Sequence, residues 1–158
     1  MKEISCCFTG HRIISLKDRI KIREILSSEL DFLYAMGKRR FISGGALGFD
    51  QIAAQEVIFK KKKYPDMELI FVLPCKDQDK LWKESQQDEY MAMLSLADKI
   101  IYIQESYSKD CMRKRNRFMV ENSSACVCFL KKQRGGTYQT VLYAVSEDIP
   151  IINIAQRL

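Results

Sequence analysis

Ser43-Gly44-Gly45-Ala46-Leu47-Gly48-Phe49-Asp50 decides the fold. Phe41 and Ile42 lead into it as the end of a short apolar run, and Ala46, Ala53 and Ala54 lead out along a helix-like stretch. The pattern is a strand, a glycine turn and a helix. Gly44 and Gly45 carry no Cβ, so they tolerate positive φ and let backbone N–H groups come close to a ligand. The helix behind them starts with unpaired N–H groups and a partial positive charge, a setting that suits phosphate. Asp50 falls in its first turns, where a carboxylate can accept from a ligand hydroxyl. The plainer reading is that two glycines simply make the turn. The spacing is neither the dinucleotide fingerprint G-x-G-x-x-G nor a P-loop, because no Gly-Lys-Ser/Thr follows.

Working outward, the same unit repeats. Glu3 to Phe8 reads as a strand, closed by the turn Thr9-Gly10-His11-Arg12. Apolar residues recur at helical spacing from Leu16 to Met36, with Ser15 placed to cap the start and Gly37 the end. Arg40 to Ser43 is the second strand and Ala46 to Lys62 the second helix, broken at Pro65-Asp66. Met67 to Leu73 is a continuous apolar run, the signature of a strand buried on both faces. Further elements are a helix over 78–96, a strand over 99–103, a helix over 111–122, a strand over 125–130, a helix over 137–146 and a strand over 149–154.

Five strand-helix units and a last strand predict one domain over residues 1–158, a Rossmann-like three-layer α/β/α fold. Its sheet is mostly parallel, with about six strands. Right-handed crossovers bring every strand-to-helix loop to one edge, and ligands of such sheets bind there. Thr9-Gly10-His11-Arg12, Ser43-Gly44-Gly45, Pro74 and Arg134-Gly135-Gly136-Thr137 all fall on that edge. Arg12 suits bidentate contact with phosphate. His11, the one histidine, reads either as a structural residue or as a ligand contact. Thr137 reads either as a helix cap or as a phosphate contact. Thr140 lies one turn on and faces the same way.

The formal net charge is +6, concentrated at Lys60 to Lys63, Arg113 to Arg117, and Lys131, Lys132 and Arg134. A basic balance suits anionic ligands, nucleotides and nucleic acid included. No stretch is long enough to span a bilayer, and no signal-peptide pattern follows Met1. Six cysteines stand without a Cys-x-x-Cys, several of them inside apolar runs, so neither a disulfide framework nor a zinc site is expected. These features predict a reducing cytoplasm and no metal or required cofactor.

Taken together, these pieces resemble the YpsA-like family of the SLOG superfamily, which also holds the LOG-type phosphoribohydrolases and the DNA-processing protein DprA. The resemblance rests on the two glycine turns and on Thr9-Gly10-His11-Arg12. It extends to Leu73-Pro74, Gln78 with Trp82 and Tyr90, Ala97-Asp98, Arg115-Asn116 to Met119, and Gly135-Gly136-Thr137 with Ala144. It implies glycine loops that bind a nucleotide or nucleotide-derived ligand. The implied ligand-binding set is Thr9, Gly10, His11, Arg12, Ser43, Gly44, Gly45, Ala46, Gly48, Asp50, Asn116, Arg117, Gly135, Gly136, Thr137 and Thr140. Trp82 is a further candidate, for stacking a base or for the core. Relatives of this fold often pair, so a homodimer is also expected.

The resemblance names no reaction and no catalytic residue. LOG-type enzymes carry Pro-Gly-Gly-x-Gly-Thr-x-x-Glu at the second glycine loop; here Arg134 replaces the proline, and no glutamate occurs before Glu147. Ligand binding or sensing without turnover is therefore the first expectation. A nucleotide N-glycosidic hydrolase using Asp50 is the alternative, and single-stranded nucleic-acid binding, by analogy with DprA, ranks third.

Overall fold

The computed structural model describes residues 1–158. Six strands form one sheet: β1 (Ser5–Gly10), β2 (Arg40–Ser43), β3 (Glu68–Leu73), β4 (Lys99–Tyr102), β5 (Ala125–Phe129) and β6 (Ile151–Asn153). Five α-helices connect them: α1 (Leu16–Ala35), α2 (Phe49–Lys60), α3 (Glu84–Ser95), α4 (Cys111–Glu121) and α5 (Gly136–Ser146). The strand order is β4-β3-β2-β1-β5-β6, and every pairing is parallel. The three-layer Rossmann-like architecture read from the sequence is thus the observed one.

The pleat sorts the strand residues into two cores, because successive side chains point to opposite faces. Cys6, Phe8, Phe41, Leu69, Phe71, Leu73 and Val127 pack under α1, α2 and α3. Cys7, Ile42, Ile70, Val72, Cys126 and Cys128 pack under α4 and α5. Both faces of β3 are covered, which is why its sequence shows no alternation. No helix is long and apolar enough to cross a membrane.

Local signals set most boundaries. Ser15 caps α1 by accepting from the Asp18 N–H at 3.2 Å. Ser15→Ala is expected to lower stability by about 1 kcal/mol, measured by urea unfolding; an unchanged midpoint would show that the exposed cap contributes nothing. β2 starts and ends where the sequence places it. The third helix begins later than its apolar residues suggest, at Glu84 rather than Gln78. Turns closed by Lys80 N–H to the Asp77 carbonyl and Trp82 N–H to the Asp79 carbonyl occupy the residues before it. Trp82 is therefore a turn residue, half-buried and packed edge-on against Tyr90 at 5.0 Å. β1 runs two residues beyond Phe8 because Thr9 and Gly10 continue pairing with Cys128 and Phe129.

Candidate functional site

β1 is where the strand order changes direction: β2, β3 and β4 lie to one side of it, β5 and β6 to the other. The loops leaving β1 and β5 diverge there and open a crevice outside the carboxyl ends of the strands. A cavity of about 350 Å³ occupies it. Its walls are Thr9, Gly10, His11 and Arg12 after β1, Ala46 and Asp50 before and in α2, Met112, Arg115 and Asn116 on α4, and Arg134, Gly135, Gly136 and Thr137 at α5.

Three features fix its chemistry. The first is the start of α5. Gly135 is the N-cap at φ 91°, a conformation glycine alone adopts readily, and no side chain caps the helix. The N–H groups of Gly136, Thr137 and Tyr138 have no acceptor within the protein, the first intrahelical bond being Gln139 N–H to the Gly135 carbonyl at 3.0 Å. A Cβ at Gly136 would touch nothing within 4 Å, so this backbone stands open to the cavity.

The second is Asp50. It is 6% exposed, and its carboxylate takes a hydrogen bond from no side chain. Burial raises its pKa to about 6, against the pull of Arg115, the Ala46 backbone N–H and Arg12. An acceptor this poorly served by the protein suits a donor that arrives with a ligand.

The third is the charge balance. Arg12, Arg115 and Arg134 line the cavity against a single carboxylate, and none of the three pairs with an acid within 4.0 Å. Arg115 is 3% exposed. Its Nη1 donates to the Gly44 carbonyl at 2.6 Å and its Nε to the Asn116 Oδ1 at 2.8 Å.

His11 has a bracing role. Its Nε2 accepts from the Lys131 N–H at 2.9 Å and its ring meets Phe129 edge-on at 5.8 Å. Its carbonyl accepts from the Phe49 N–H at 3.1 Å. One residue thus ties the loops after β1 and β5 to the start of α2. Burial, Lys132 and Lys131 hold its pKa below the usual value, which keeps Nε2 free to accept.

The structure brings together Thr9, Gly10, His11, Arg12, Ala46, Asp50, Asn116, Gly135, Gly136 and Thr137 on one cavity. It places the other expected residues elsewhere. Ser43 is fully buried; its Oγ donates to the Asp50 carbonyl at 2.8 Å and accepts from the Gly45 N–H at 3.2 Å. Gly44 is a glycine because Arg115 and Asp50 fill the space a Cβ would need, and Gly45 lies against Leu73 and Tyr90. Gly48 is pressed onto the carbonyls of His11 and Arg12. The first glycine loop is therefore packed from within and forms the support of the site, whereas the second is open. Arg117 and Thr140 face a neighbouring groove, and the Thr140 hydroxyl donates to the Gly136 carbonyl at 2.8 Å. Thr137 is the second residue of α5 and not its cap, a place Gly135 takes.

Arg115, Arg134 and Met112 complete the wall from outside the expected ligand-binding set, although Arg115 and Arg134 stand in motifs quoted from the sequence. The signal for Arg115 was present in the sequence. Cys111, Arg115 and Met119 recur every four residues and are all buried on one stripe of α4. A cation on an apolar stripe has a polar partner inside.

Comparison with known proteins agrees with this fold. The YpsA family model, described as the YspA SLOG family, matches residues 6–149. The chain is 36% identical to the uncharacterized SPbeta prophage-derived protein YoqJ of Bacillus subtilis (strain 168), over 84% of this chain and 81% of that protein. It is 27% identical to a UPF0398 protein of Bacillus thuringiensis (strain Al Hakam), over 84% of this chain and 73% of that one. A solved structure of DNA processing protein A from Helicobacter pylori, described by its single-stranded DNA binding mode, aligns with a TM-score of 0.66 at 20% identity. That alignment covers 94% of this chain but 63% of the other, and it bears on the fold. With the matched region running from β1 to the end of the α5 turn and enclosing every wall of the cavity, the chain belongs to the YspA SLOG family.

Proposed function

We propose that the cavity binds a phosphorylated nucleotide or nucleotide-derived ligand, in a binding or sensing role. The observation that carries this reading is the pairing of three unpaired N–H groups at α5 with the buried Asp50 carboxylate across one cavity. A phosphate accepts from the N–H groups and from Arg12 and Arg134. A ribose hydroxyl donates to Asp50. The first helix turn supplies no carboxylate, and Asp50 is the one acid on the wall, which favours binding over N-glycosidic hydrolysis.

Native mass spectrometry of the protein as purified from cells, followed by denaturing release, tests the ligand class directly. A retained nucleotide is expected; a retained base-free ribose phosphate would favour turnover with Asp50 as the acid. Gly136→Leu tests the placement. Gly136 has an unstrained backbone and open space, so the variant is expected to unfold at or slightly above the parent midpoint, helix propensity favouring leucine by up to about 1 kcal/mol. Its nucleotide affinity by calorimetry is expected to fall roughly tenfold or more. Unchanged affinity would remove the phosphate from α5.

A second reading, single-stranded nucleic acid, is favoured by the uncompensated arginines at the carboxyl edge and by the fold shared with DNA processing protein A. Affinity for oligonucleotides that falls steeply with salt is its expected mark.

A further inference from the structure

We propose that the groove between α4 and α5 is a second anionic subsite, so that the ligand consists of phosphodiester-linked nucleotides and not a lone mononucleotide. The proposal rests on the nucleotide reading of the main cavity. The groove has a volume of about 410 Å³ and is lined by Lys109, Met112, Arg113, Asn116, Arg117, Gly136, Gln139, Thr140 and Tyr143. Met112, Asn116 and Gly136 belong to both hollows, so the groove begins where the open helix end lies. No carboxylate lines it.

Its cations are arranged in register. Arg113 and Arg117 are four residues apart on α4, a rise of about 6 Å, and Lys109 stands in the turn that leads into the helix. That rise is comparable to the one-nucleotide repeat of an extended single strand. Arg117 is held in place by Tyr143, its guanidinium carbon 4.5 Å from the ring centre. The Tyr143 hydroxyl is in turn fixed by Glu121 at 2.6 Å.

The surface reading of these residues as simple solubilising charge fails on pairing. Arg23, Arg39, Arg40 and Arg157 each meet a carboxylate. Arg12, Arg113, Arg115, Arg117 and Arg134 do not, and all five line the cavity or the groove. Arg19 is the other unpaired arginine, bonded to the Ile14 carbonyl. The charges also oppose the helix that bears them. Like charges four apart are unfavourable, and Arg113 stands in the first turn of α4, the end that repels cations, where the one acid, the N-cap Asp110, is paired with Lys114 at 3.6 Å. A sequence that keeps cations against local stability is keeping them for a partner.

The test compares the parent with Lys109→Gln/Arg113→Gln, using AMP, the 5′-phosphorylated dinucleotide pApA and 5′-phosphorylated oligonucleotides of four and eight residues. The double variant is expected to unfold no earlier than the parent, which excludes misfolding. Its AMP affinity is expected to match the parent's, while its affinity for the linked nucleotides falls roughly tenfold. The slope of log affinity against log salt is expected to flatten by about 1.4 for the oligonucleotides of four and eight residues, two phosphate contacts at about 0.7 each, and by about 0.7 for pApA, which has a single phosphodiester. Parent affinity that stops rising at the dinucleotide identifies a dinucleotide ligand; a continued rise identifies a single strand. Parent affinity no higher for linked nucleotides than for AMP overturns the groove and leaves the cavity reading intact. Equal loss for AMP and oligonucleotides, or no loss, also overturns it. A parent that binds none of the series overturns both.

Discussion

Gly48→Ala is expected to cost about 4 kcal/mol of stability and to abolish ligand binding. Two separate penalties combine. Gly48 caps α2 at φ 86° and ψ −127°, a region close to glycine-only, and holding alanine there costs about 1–3 kcal/mol. The added Cβ would also press into the carbonyl groups of His11 and Arg12, which belong to backbone and cannot swing aside; overpacking of this kind adds about 1–3 kcal/mol. The collision pushes the turn after β1 away from the cavity and breaks the contact from the Phe49 N–H to the His11 carbonyl. In a domain of this size each kcal/mol shifts the melting midpoint by about 2–4 °C, so a drop on the order of 10 °C is expected in thermal unfolding. Gly37→Ala is the control: its φ is 99° but a Cβ there meets nothing within 4 Å. It is expected to lose about 1–2 kcal/mol, the conformational part alone. Equal losses in the two variants would show that the contact beneath His11 and Arg12 is soft.

Asp50→Asn is expected to stabilise the protein at pH 7.5 while weakening the ligand. The Asp50 pKa is raised from 3.8 to about 6, chiefly by burial, with the attraction of Arg115 already in that balance. Between about pH 4 and 6 the folded chain holds a proton that the unfolded chain has released. Stability therefore falls as pH rises through that window, and above it the folded state carries a penalty of about 3 kcal/mol. The amide carries no such penalty. Urea unfolding is expected to show parent and variant converging near pH 4 and the variant ahead by about 3 kcal/mol at pH 7.5. A parent profile flat from pH 4 to 6 would sink the claim that the carboxylate is desolvated. Nucleotide affinity at pH 7.5 is expected to fall roughly tenfold, since a charged acceptor makes the stronger hydrogen bond. A buried charge that lowers stability while improving binding marks a functional residue.

How far the sequence reveals this depends on which physical signal each residue leaves. Hydrophobic patterning places all six strands and all five helices, because burial on both faces makes β1 and β3 continuous apolar runs and burial on one face gives α1 a period of 3.6. The carboxyl edge follows from connection handedness, and the cavity lies there. The two Gly-Gly turns look alike in sequence, yet Gly44 is a glycine to admit Arg115, while Gly136 faces open space. Nothing local separates those causes, since the atoms that fill the space at Gly44 come from a helix 71 residues away. Arg115 and Arg117 pose the same problem within one helix. Two positions turn a side chain by about 200° around the axis, which sends Arg115 under the cavity and Arg117 onto Tyr143. The delayed start of α3 reflects side-chain and turn bonds of residues 77–83 that outcompete a helix, with Gln78 spanning to the Gly44 carbonyl and the Tyr90 hydroxyl.

The six buried thiols give the chain a built-in clock for its own opening. Cys6, Cys7, Cys126 and Cys128 sit at 0% exposure in the adjacent interior strands β1 and β5, so an alkylating reagent reaches them only when the sheet itself comes apart. Cys75 and Cys111 are as well hidden but lie in the loop after β3 and at the start of α4, beside the ligand edge. Modification of these two counts local breathing at the site, and modification of the other four counts whole-molecule unfolding. A ligand that seals the edge slows the first clock more than the second, and the ratio reads out occupancy from the chain's own cysteines.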